Sequence, residues 1–347
     1  MRISSIAAIA LTALIGAAMP LASAQERSYS DTFGPLLQRA KCDGACLRKL
    51  MDRYLDAMAA HDPKRLPLAR DVRFTENTNE MALGDGLWQT VTGVLPERIV
   101  IADPVNEQIA YYGAVTENGR TSLLFVRLKE RIGAITEIET GVVREMVGNF
   151  GSFSTLQGPL SDWNEVLRPP QRRSREELIA LVNQYFEGIE KSNGDIVPFD
   201  PSCVRWENNR NTSRTQAPAP KAAGSGPTQG GSASSTPANT AASILQGMTI
   251  RETFNTHVFS YITHIGDRRF PIVDEERGIV TAIVTFLHPG NVRFVNVPGH
   301  GKVEITGVTS AFPNTTEIIE SFRVKDGKIV GIYAYVNLLP YRQKTGW

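Results

Sequence analysis

The stretch LMDRYLDAMAAHDPKRL, residues 50–66, returns later in the chain as LVNQYFEGIEKSNGDIV, residues 181–197. The two copies align with Tyr54 opposite Tyr185, a separation of 131 residues. Apolar residues recur three and four positions apart in both, which is the pattern of an amphipathic helix. A repeat of this length indicates two tandem domains of one fold, each beginning with a helix.

A strand pattern follows each helix. DVRFTENTN (residues 71–79) is similar to CVRWENNRN (residues 203–211) when Asn77 is matched with Asn209, a separation of 132 residues. Further along both copies, β-branched and apolar runs alternate with turn residues, which predicts long antiparallel strands. The predicted fold class is therefore α+β, with a helix packed on an antiparallel sheet in each domain.

The low-complexity segment of residues 212–243 lies inside the second copy. It consists largely of Ala, Ser, Thr, Gly and Pro without a large aliphatic or aromatic residue. Such a segment buries too little apolar surface to offset its ordering, so we predict a disordered insertion. A helix start at Ser174, with Glu177 three residues on, follows a proline-rich stretch. We therefore predict one domain over 25–168 and a second over 169–347.

The first residues have the pattern of a secretory signal peptide. A basic start at Met1-Arg2 precedes the mostly apolar stretch Ile6–Pro20, and Ala22-Ser23-Ala24 fits a cleavage site. We expect a signal peptide over 1–24 and a secreted or periplasmic product. No later stretch approaches the about 20 apolar residues that a bilayer span needs, so we expect no membrane span.

The composition is typical of a globular protein. Of 347 residues, 41% are hydrophobic, and 37 Lys and Arg balance 36 Asp and Glu, for a net charge of +1. This balance provides no long-range field for a polyanion and argues against a nucleic-acid partner. Cys42 and Cys46 are close enough to form a disulfide, or they remain thiols like Cys203. No Cys/His spacing indicates a metal site.

Three stretches resemble a known family: FTENTNEMALGDGLW (residues 74–88), RRFPIVDEERGIV (residues 268–280) and LPYRQKTGW (residues 339–347). They are similar to exported SnoaL-like proteins of the nuclear transport factor 2-like (NTF2-like) superfamily, including tandem members of unknown function. The resemblance implies two cone-shaped domains, each a helix on a strongly curved sheet. Enzymes of this superfamily, such as ketosteroid isomerase and scytalone dehydratase, use the cone as an apolar pocket and generally need no cofactor.

In the first domain, Glu76 and Asn77 end the first strand, where a carboxylate in an apolar cone would have a raised pKa. The alternative is a local role, in which they cap and shape the following turn. In the repeat alignment Glu207 is one residue out of register with Glu76. Glu137 and Glu139 share one strand face and are either paired catalytic carboxylates or solvated charges.

In the second domain, His264 and Arg269 are the candidate base and anion clamp, although a histidine at a strand start is often a wall residue. With Glu76, they form the predicted catalytic set. Tyr333 and Tyr335 would line an aromatic pocket if their strand face is concave. The residues predicted to contact substrate are Tyr54, Asn77, Trp88, Tyr185, Asn208, Tyr333 and Tyr335.

Three functions fit these features. The leading one is a cofactor-independent lyase, dehydratase or isomerase that acts on a small, partly apolar molecule by general acid/base catalysis. The second is a non-catalytic binder of such a molecule. The third is an interaction scaffold, in which sheet faces pack between the two domains or between two copies. No nucleophile motif, phosphate loop or dinucleotide fingerprint is present in the sequence.

Overall fold

The structure, a computed structural model, describes residues 41–144, 153, 162–213, 244–245, 247–305 and 312–347. The predicted signal peptide and positions 214–243 of the predicted insertion lie outside the described residues. The described residues of 41–347 form one compact unit. The structure confirms the α+β class, while the domain boundaries stay predictions.

The first half leads with a helix and continues into an open six-stranded sheet of order β2-β1-β6-β5-β4-β3. Its elements are α1 (Gly44–Ala59), β1 (Leu68–Glu76), β2 (Asn79–Glu80), α2 (Leu87–Thr90), β3 (Val91–Asp103), β4 (Gln108–Glu117), β5 (Arg120–Arg131) and β6 (Ala134–Arg144). Cys42 and Cys46 form a disulfide at the start of α1. Of the two alternatives that the sequence leaves open, bridge or free thiols, the structure has the bridge.

The second half repeats this plan, with a sheet of order β8-β7-β14-β13-β10-β9. Its elements are α3 (Arg175–Glu190), β7 (Phe199–Glu207), β8 (Arg210–Asn211), α4 (Ile250–Asn255), β9 (His264–Asp274), β10 (Ile279–His288), β11 (Phe294–Val297), β12 (Gly301–Glu304), β13 (Asn314–Lys325) and β14 (Lys328–Leu339). The predicted capping box is confirmed, because Ser174 accepts from the backbone of Glu177 and Glu177 bonds back to Ser174.

The register of the repeat differs from the predicted one by a residue. Glu76 pairs with Thr140 and Glu207 pairs with Ala334, at equivalent places in the two sheets. Each glutamate precedes a two-residue turn with positive φ, at 47° and 69° in the first half and at 46° and 65° in the second. Glu207 is therefore the counterpart of Glu76, and Asn208, not Asn209, is the counterpart of Asn77. The similar Val-Arg-aromatic triplets favoured the wrong alignment.

The two sheets pack against each other through the faces that their helices leave open. Buried residues of both sheets form one apolar cluster centred on Tyr112, Phe125, Tyr333 and Tyr335. Within it, Ser321 donates to the Tyr112 hydroxyl at 2.9 Å and Tyr335 donates to the Gly113 carbonyl at 2.8 Å. Each sheet is thus covered on both faces, by its own helix and by the other sheet.

The last residues of the chain return to the first half. The Trp347 indole donates to Thr75 Oγ1 at 3.0 Å. Its ring lies 4.2 Å from the Arg73 guanidinium and 4.8 Å from that of Arg127, which are cation–π contacts. The tail therefore joins the second half's last strand to the first half's sheet.

We expect Trp347→Ala to lower the free energy of unfolding by about 1–3 kcal/mol, because two cation–π contacts and a hydrogen bond are lost. Urea unfolding followed by circular dichroism measures this. Tyr341→Ala is the matched control, since Tyr341 is 37% exposed and contacts only the neighbouring Arg342 as a cation–π partner among the described residues. Equal stability of the two variants would show that the Trp347 contacts do not stabilise the fold.

Candidate functional site

A carboxylate lies in the middle of the second sheet, on the face covered by helix α3. Glu320 of β13 is 2% exposed and is flanked by Ala282 on β10 and Ala334 on β14. The two neighbours are small, so the Glu320 side chain has no bulky residue beside it in its row across the sheet. Glu207 continues the same row on β7, where it pairs with Ala334.

A chain of polar contacts joins Glu320 to the edge of the sheet. Tyr185, from α3, donates its hydroxyl to Glu320 Oε1 at 3.2 Å. Arg205 donates to the same hydroxyl at 3.4 Å and lies 3.6 Å from the Glu207 carboxylate. Arg205 Nε also donates to Thr212 Oγ1 at 3.0 Å, so the start of the predicted insertion is bonded to this group. We call Glu320, Tyr185, Arg205 and Glu207 the cone cluster.

Burial dominates the electrostatics of the cone cluster. It raises the pKa of Glu320 to about 8, and the nearby charge of Glu207 adds to this increase. Burial also raises the pKa of the Tyr185 hydroxyl well above its usual value. At neutral pH Glu320 therefore exchanges readily between its acid and carboxylate forms, while Tyr185 stays a hydrogen-bond donor.

The first half keeps only part of this cluster, because Tyr54 is the counterpart of Tyr185 and Glu76 that of Glu207. The register places Val126 where the second half has Glu320, and Tyr111 where it has Ala282. Tyr111 is fully buried in the apolar core beneath α1, so its ring occupies the space that Ala282 leaves in the second half. The equivalent of Arg205 is Phe74, which pairs with Ile138 as Arg205 pairs with Ile332. Of the four cluster residues, Glu320 and Arg205 are therefore the two that the first half replaces by apolar residues.

The predicted catalytic residue Glu76 has structural partners. Its Oε2 accepts from the backbone of Leu87 at 2.7 Å, at the start of α2, and its Oε1 lies 3.3 Å from Arg144. Gly86 lies directly against this carboxylate, where a Cβ atom would be 2.5 Å from Oε2. These contacts match the local role that the sequence left open, and the catalytic role of Glu76 stays a prediction.

The predicted asparagines hold strand ends together. The Asn77 side chain donates to the Val142 carbonyl at 3.0 Å and accepts from the Val142 N–H at 2.7 Å. Asn208 makes the same pair of bonds to Val336, at 3.0 and 2.8 Å. Their amides thus bond to the backbone of the neighbouring strand, so the contacts described here are structural ones.

His264 and Arg269 contact different partners. His264 is exposed at the start of β9, 3.8 Å from Glu190. Arg269 holds an anion, but that anion is Glu139 of the first half, at 2.5 Å. The structure does not join these two residues into a base and clamp.

Glu139 lies between the two sheets and is neither a solvated charge nor part of a cone. Arg127 donates to it at 2.6 Å, and Arg127 also donates to Glu137 at 2.8 Å. Tyr333 and Tyr335 lie on the same intersheet side, 5.7 and 5.1 Å from Tyr112. The expectation of an aromatic pocket in the second domain is therefore wrong at these positions, because their strand face is the one that packs on the other sheet.

The other two residues predicted to contact substrate, Tyr54 and Trp88, are buried in the core of the first half. Trp88 donates to the Tyr54 hydroxyl at 3.2 Å, and both rings are buried in the core between α1 and the first sheet. Tyr185 is the one predicted residue that belongs to the cone cluster. Sequence reasoning missed Glu320 and Arg205. The available signal was a pair of glutamates, Glu317 and Glu320, in the stretch TEIIESF, residues 316–322, but the pattern did not show which strand face each one takes.

A small cleft adjoins the cluster. Its volume is about 60 Å³, and Phe199, Cys203 and Arg251 contribute to its lining. Cys203 is a free buried thiol whose pKa is raised by burial, and the charges of Arg205 and Glu320 act on it. Sites for small molecules measure about 300–1,000 Å³, and none of the four cone cluster residues lines this cleft, so the cleft by itself is not the substrate site at Glu320.

No described helix has the length and apolarity of a membrane span. Among the described residues, no group of three or more His, Cys, Asp or Glu has the arrangement of a metal site.

Residues 171–336 match the domain family described as "Domain of unknown function (DUF8021)". No curated protein matches the chain. Among solved structures, an NTF2-like protein of unknown function from Burkholderia xenovorans LB400 is similar at 12% identity and a TM-score of 0.24, covering 35% of this chain and 95% of that one.

Two further solved structures have provisional enzyme names. A Silicibacter sp. TM1040 protein, provisionally named a polyketide cyclase, shares 18% identity and a TM-score of 0.24, covering 28% of this chain and 88% of its own. A Kribbella flavida DSM 17836 protein, provisionally named a ketosteroid isomerase, shares 17% identity and a TM-score of 0.23, covering 33% of this chain and 90% of its own.

Proposed function

We propose that this chain, which consists of two helix-led α+β copies and matches a domain family of unknown function over residues 171–336, is a cofactor-independent acid/base enzyme. The site is the cone cluster of the second half. The reaction is proton abstraction next to a carbonyl group of a small, partly apolar molecule, followed by proton return or elimination, as in an isomerase or a lyase.

The observation that carries this proposal is the buried Glu320 with its Tyr185 hydrogen bond. Its pKa of about 8 suits a group that takes up and returns protons near neutrality. The Glu320 carboxylate would accept the proton from carbon. Tyr185, as a neutral donor beside it, would bond the substrate carbonyl when the negative charge of the enolate develops. Arg205 would stabilise that charge through the Tyr185 hydroxyl.

The difference between the halves supports a functional origin for the cluster. Buried polar and charged groups commonly lower stability relative to apolar residues of similar volume. The first half shows that the same strand positions accept Val126 and Tyr111 in a closed core. A group that breaks the local packing rule without a structural gain is the expected mark of a functional site.

Export is part of the proposal. Residues 1–24 have the signal-peptide pattern, and the Cys42–Cys46 bridge fits an oxidising compartment. Cell fractionation with N-terminal sequencing tests this, and a cytosolic product that begins before residue 25 would oppose it.

The test is carbon-bound proton exchange. We expect the protein to catalyse deuterium incorporation from heavy water into a panel of enolisable aryl alkyl ketones, and Glu320→Gln to lower the rate about a hundredfold. Glu317→Gln is the matched control, because Glu317 is equally buried on the same strand but faces the other sheet. Ketones that bind without exchange would favour the non-catalytic binder, and equal rates for the two variants would remove Glu320 from the mechanism.

A further inference from the structure

A second polar group lies on the same concave face of the second sheet. His288 of β10 is 3% exposed, and its Nδ1 lies 3.0 Å from Asn314 Oδ1 and 3.2 Å from Thr316 Oγ1. Tyr261, from the 3₁₀ turn Val258–Tyr261, stacks on the His288 ring at 5.4 Å and 27°. None of these residues belongs to the cone cluster.

The hydrogen bonds fix the proton on the His288 ring. The Asn314 amide nitrogen donates to the Phe312 carbonyl at 2.8 Å, so the amide oxygen is the atom that faces the imidazole. An amide oxygen only accepts, and therefore His288 Nδ1 is the protonated nitrogen. Nε2 is then an acceptor with a free lone pair, and it has no hydrogen-bond partner among the described residues.

The imidazole stays neutral at physiological pH. Burial lowers the pKa of His288 to about 4, and the Asn314 bond only partly offsets this. A neutral Nε2 repels a carbonyl or carboxylate oxygen and accepts from a hydroxyl or an N–H group.

Apolar residues separate His288 from the cone cluster. Thr316 and Glu320 are four residues apart on one face of β13, a distance of about 13 Å at the usual strand rise. Ile318 lies between them, and Val284 is its partner on β10. Tyr261 belongs to the same cone, because the charges of Glu207 and Arg205 act on its hydroxyl.

We propose that His288 Nε2 is the second recognition point of the site, and that it accepts from a hydroxyl or N–H group at the far end of an elongated, uncharged ligand. The ligand's carbonyl end lies at Glu320, and its middle is apolar. This inference rests on the proposed function for the position of the carbonyl. The substrate class is therefore a neutral hydroxy or amino ketone with a flat or extended apolar body.

The experiment compares a para-hydroxyphenyl alkyl ketone with its methyl ether, which keeps the shape and the carbonyl but has no donor. We expect calorimetry to give about tenfold tighter binding of the phenol, the gain of one neutral hydrogen bond. His288→Phe keeps a ring to stack on Tyr261 and should abolish the preference. His300→Phe, at an exposed position in the β11–β12 turn, should keep it. Glu320→Gln should also keep it.

Equal affinity of the wild type for the two ketones, including no measurable binding of either, would overturn the proposal. Nitrogen–proton correlation spectra of the wild type give a second test that needs no variant, and an Nε2–H tautomer of His288 would also overturn it. If proton exchange fails while the donor preference persists, the proposed chemistry is wrong and the recognition point stands.

Discussion

Replacing Glu139 by alanine is expected to lower the free energy of unfolding by about 3–5 kcal/mol. Glu139 is 3% exposed between the two sheets and accepts from Arg127 of the first half and Arg269 of the second. Its removal leaves the partly buried Arg269 guanidinium without the ion-pair partner described for it, while buried Arg127 keeps Glu137 and Gln108. An uncompensated buried charge costs much more than the pair contributes when intact.

Urea unfolding followed by tryptophan fluorescence measures this change. Asp52→Ala is the matched control, because Asp52 pairs with Arg98 at 2.9 Å in an exposed ion pair, worth about 1 kcal/mol or less. Glu139→Gln keeps the side-chain volume, and its loss of unfolding free energy should lie between those of Asp52→Ala and Glu139→Ala. If Glu139→Ala were no less stable than Asp52→Ala, the intersheet charges would not hold the halves together.

The second large effect is on the pH dependence of stability. The pKa of Glu320 is about 8 in the folded protein, against 4.5 for an ordinary glutamate. Between these values the folded state binds a proton that the unfolded state releases, so stability falls as the pH rises through this window and levels off above pH 8. The slope is at most about 1.4 kcal/mol per pH unit for one such group.

Glu320→Gln removes this loss. Relative to the wild type, the variant should gain stability steadily from about pH 5 to pH 8 and be the more stable protein at alkaline pH. Burial also raises the pKa of Glu317 to about 8, so we expect the same pH dependence for Glu317→Gln. The two residues face opposite sides of β13, so their effects should add in the double variant. If the difference in unfolding free energy between Glu320→Gln and the wild type were the same at every pH from about 5 to 8, the prediction would be wrong.

The sequence predicted the plan of the fold because that plan depends on local patterns. Helical periodicity gave the leading helix of each half, and the capping box gave the start of α3 at Ser174. The repeat with Tyr54 and Tyr185 gave the tandem organisation. These signals involve residues close in the chain, so they are readable without knowing what packs against them.

The site was less readable, because it depends on strand faces. The alignment of Asn77 with Asn209 was one residue out, and such a slip exchanges the two faces of a strand. For β13, the strand of Glu320, the alternation of apolar and polar residues does not identify the two faces, since every position from Asn314 to Val324 is buried. Both faces of that strand are covered, so apolar and polar residues do not alternate with solvent exposure.

By itself, then, the sequence determined two helix-led α+β copies, because periodicity, caps and turns are properties of neighbouring residues. Tertiary structure alone decided that Glu320 lies inside the second cone while Glu139, Tyr333 and Tyr335 lie between the sheets. The physical reason is that a strand has two faces, and only the partner packed on each face tells a buried carboxylate in a cone from one in an interface.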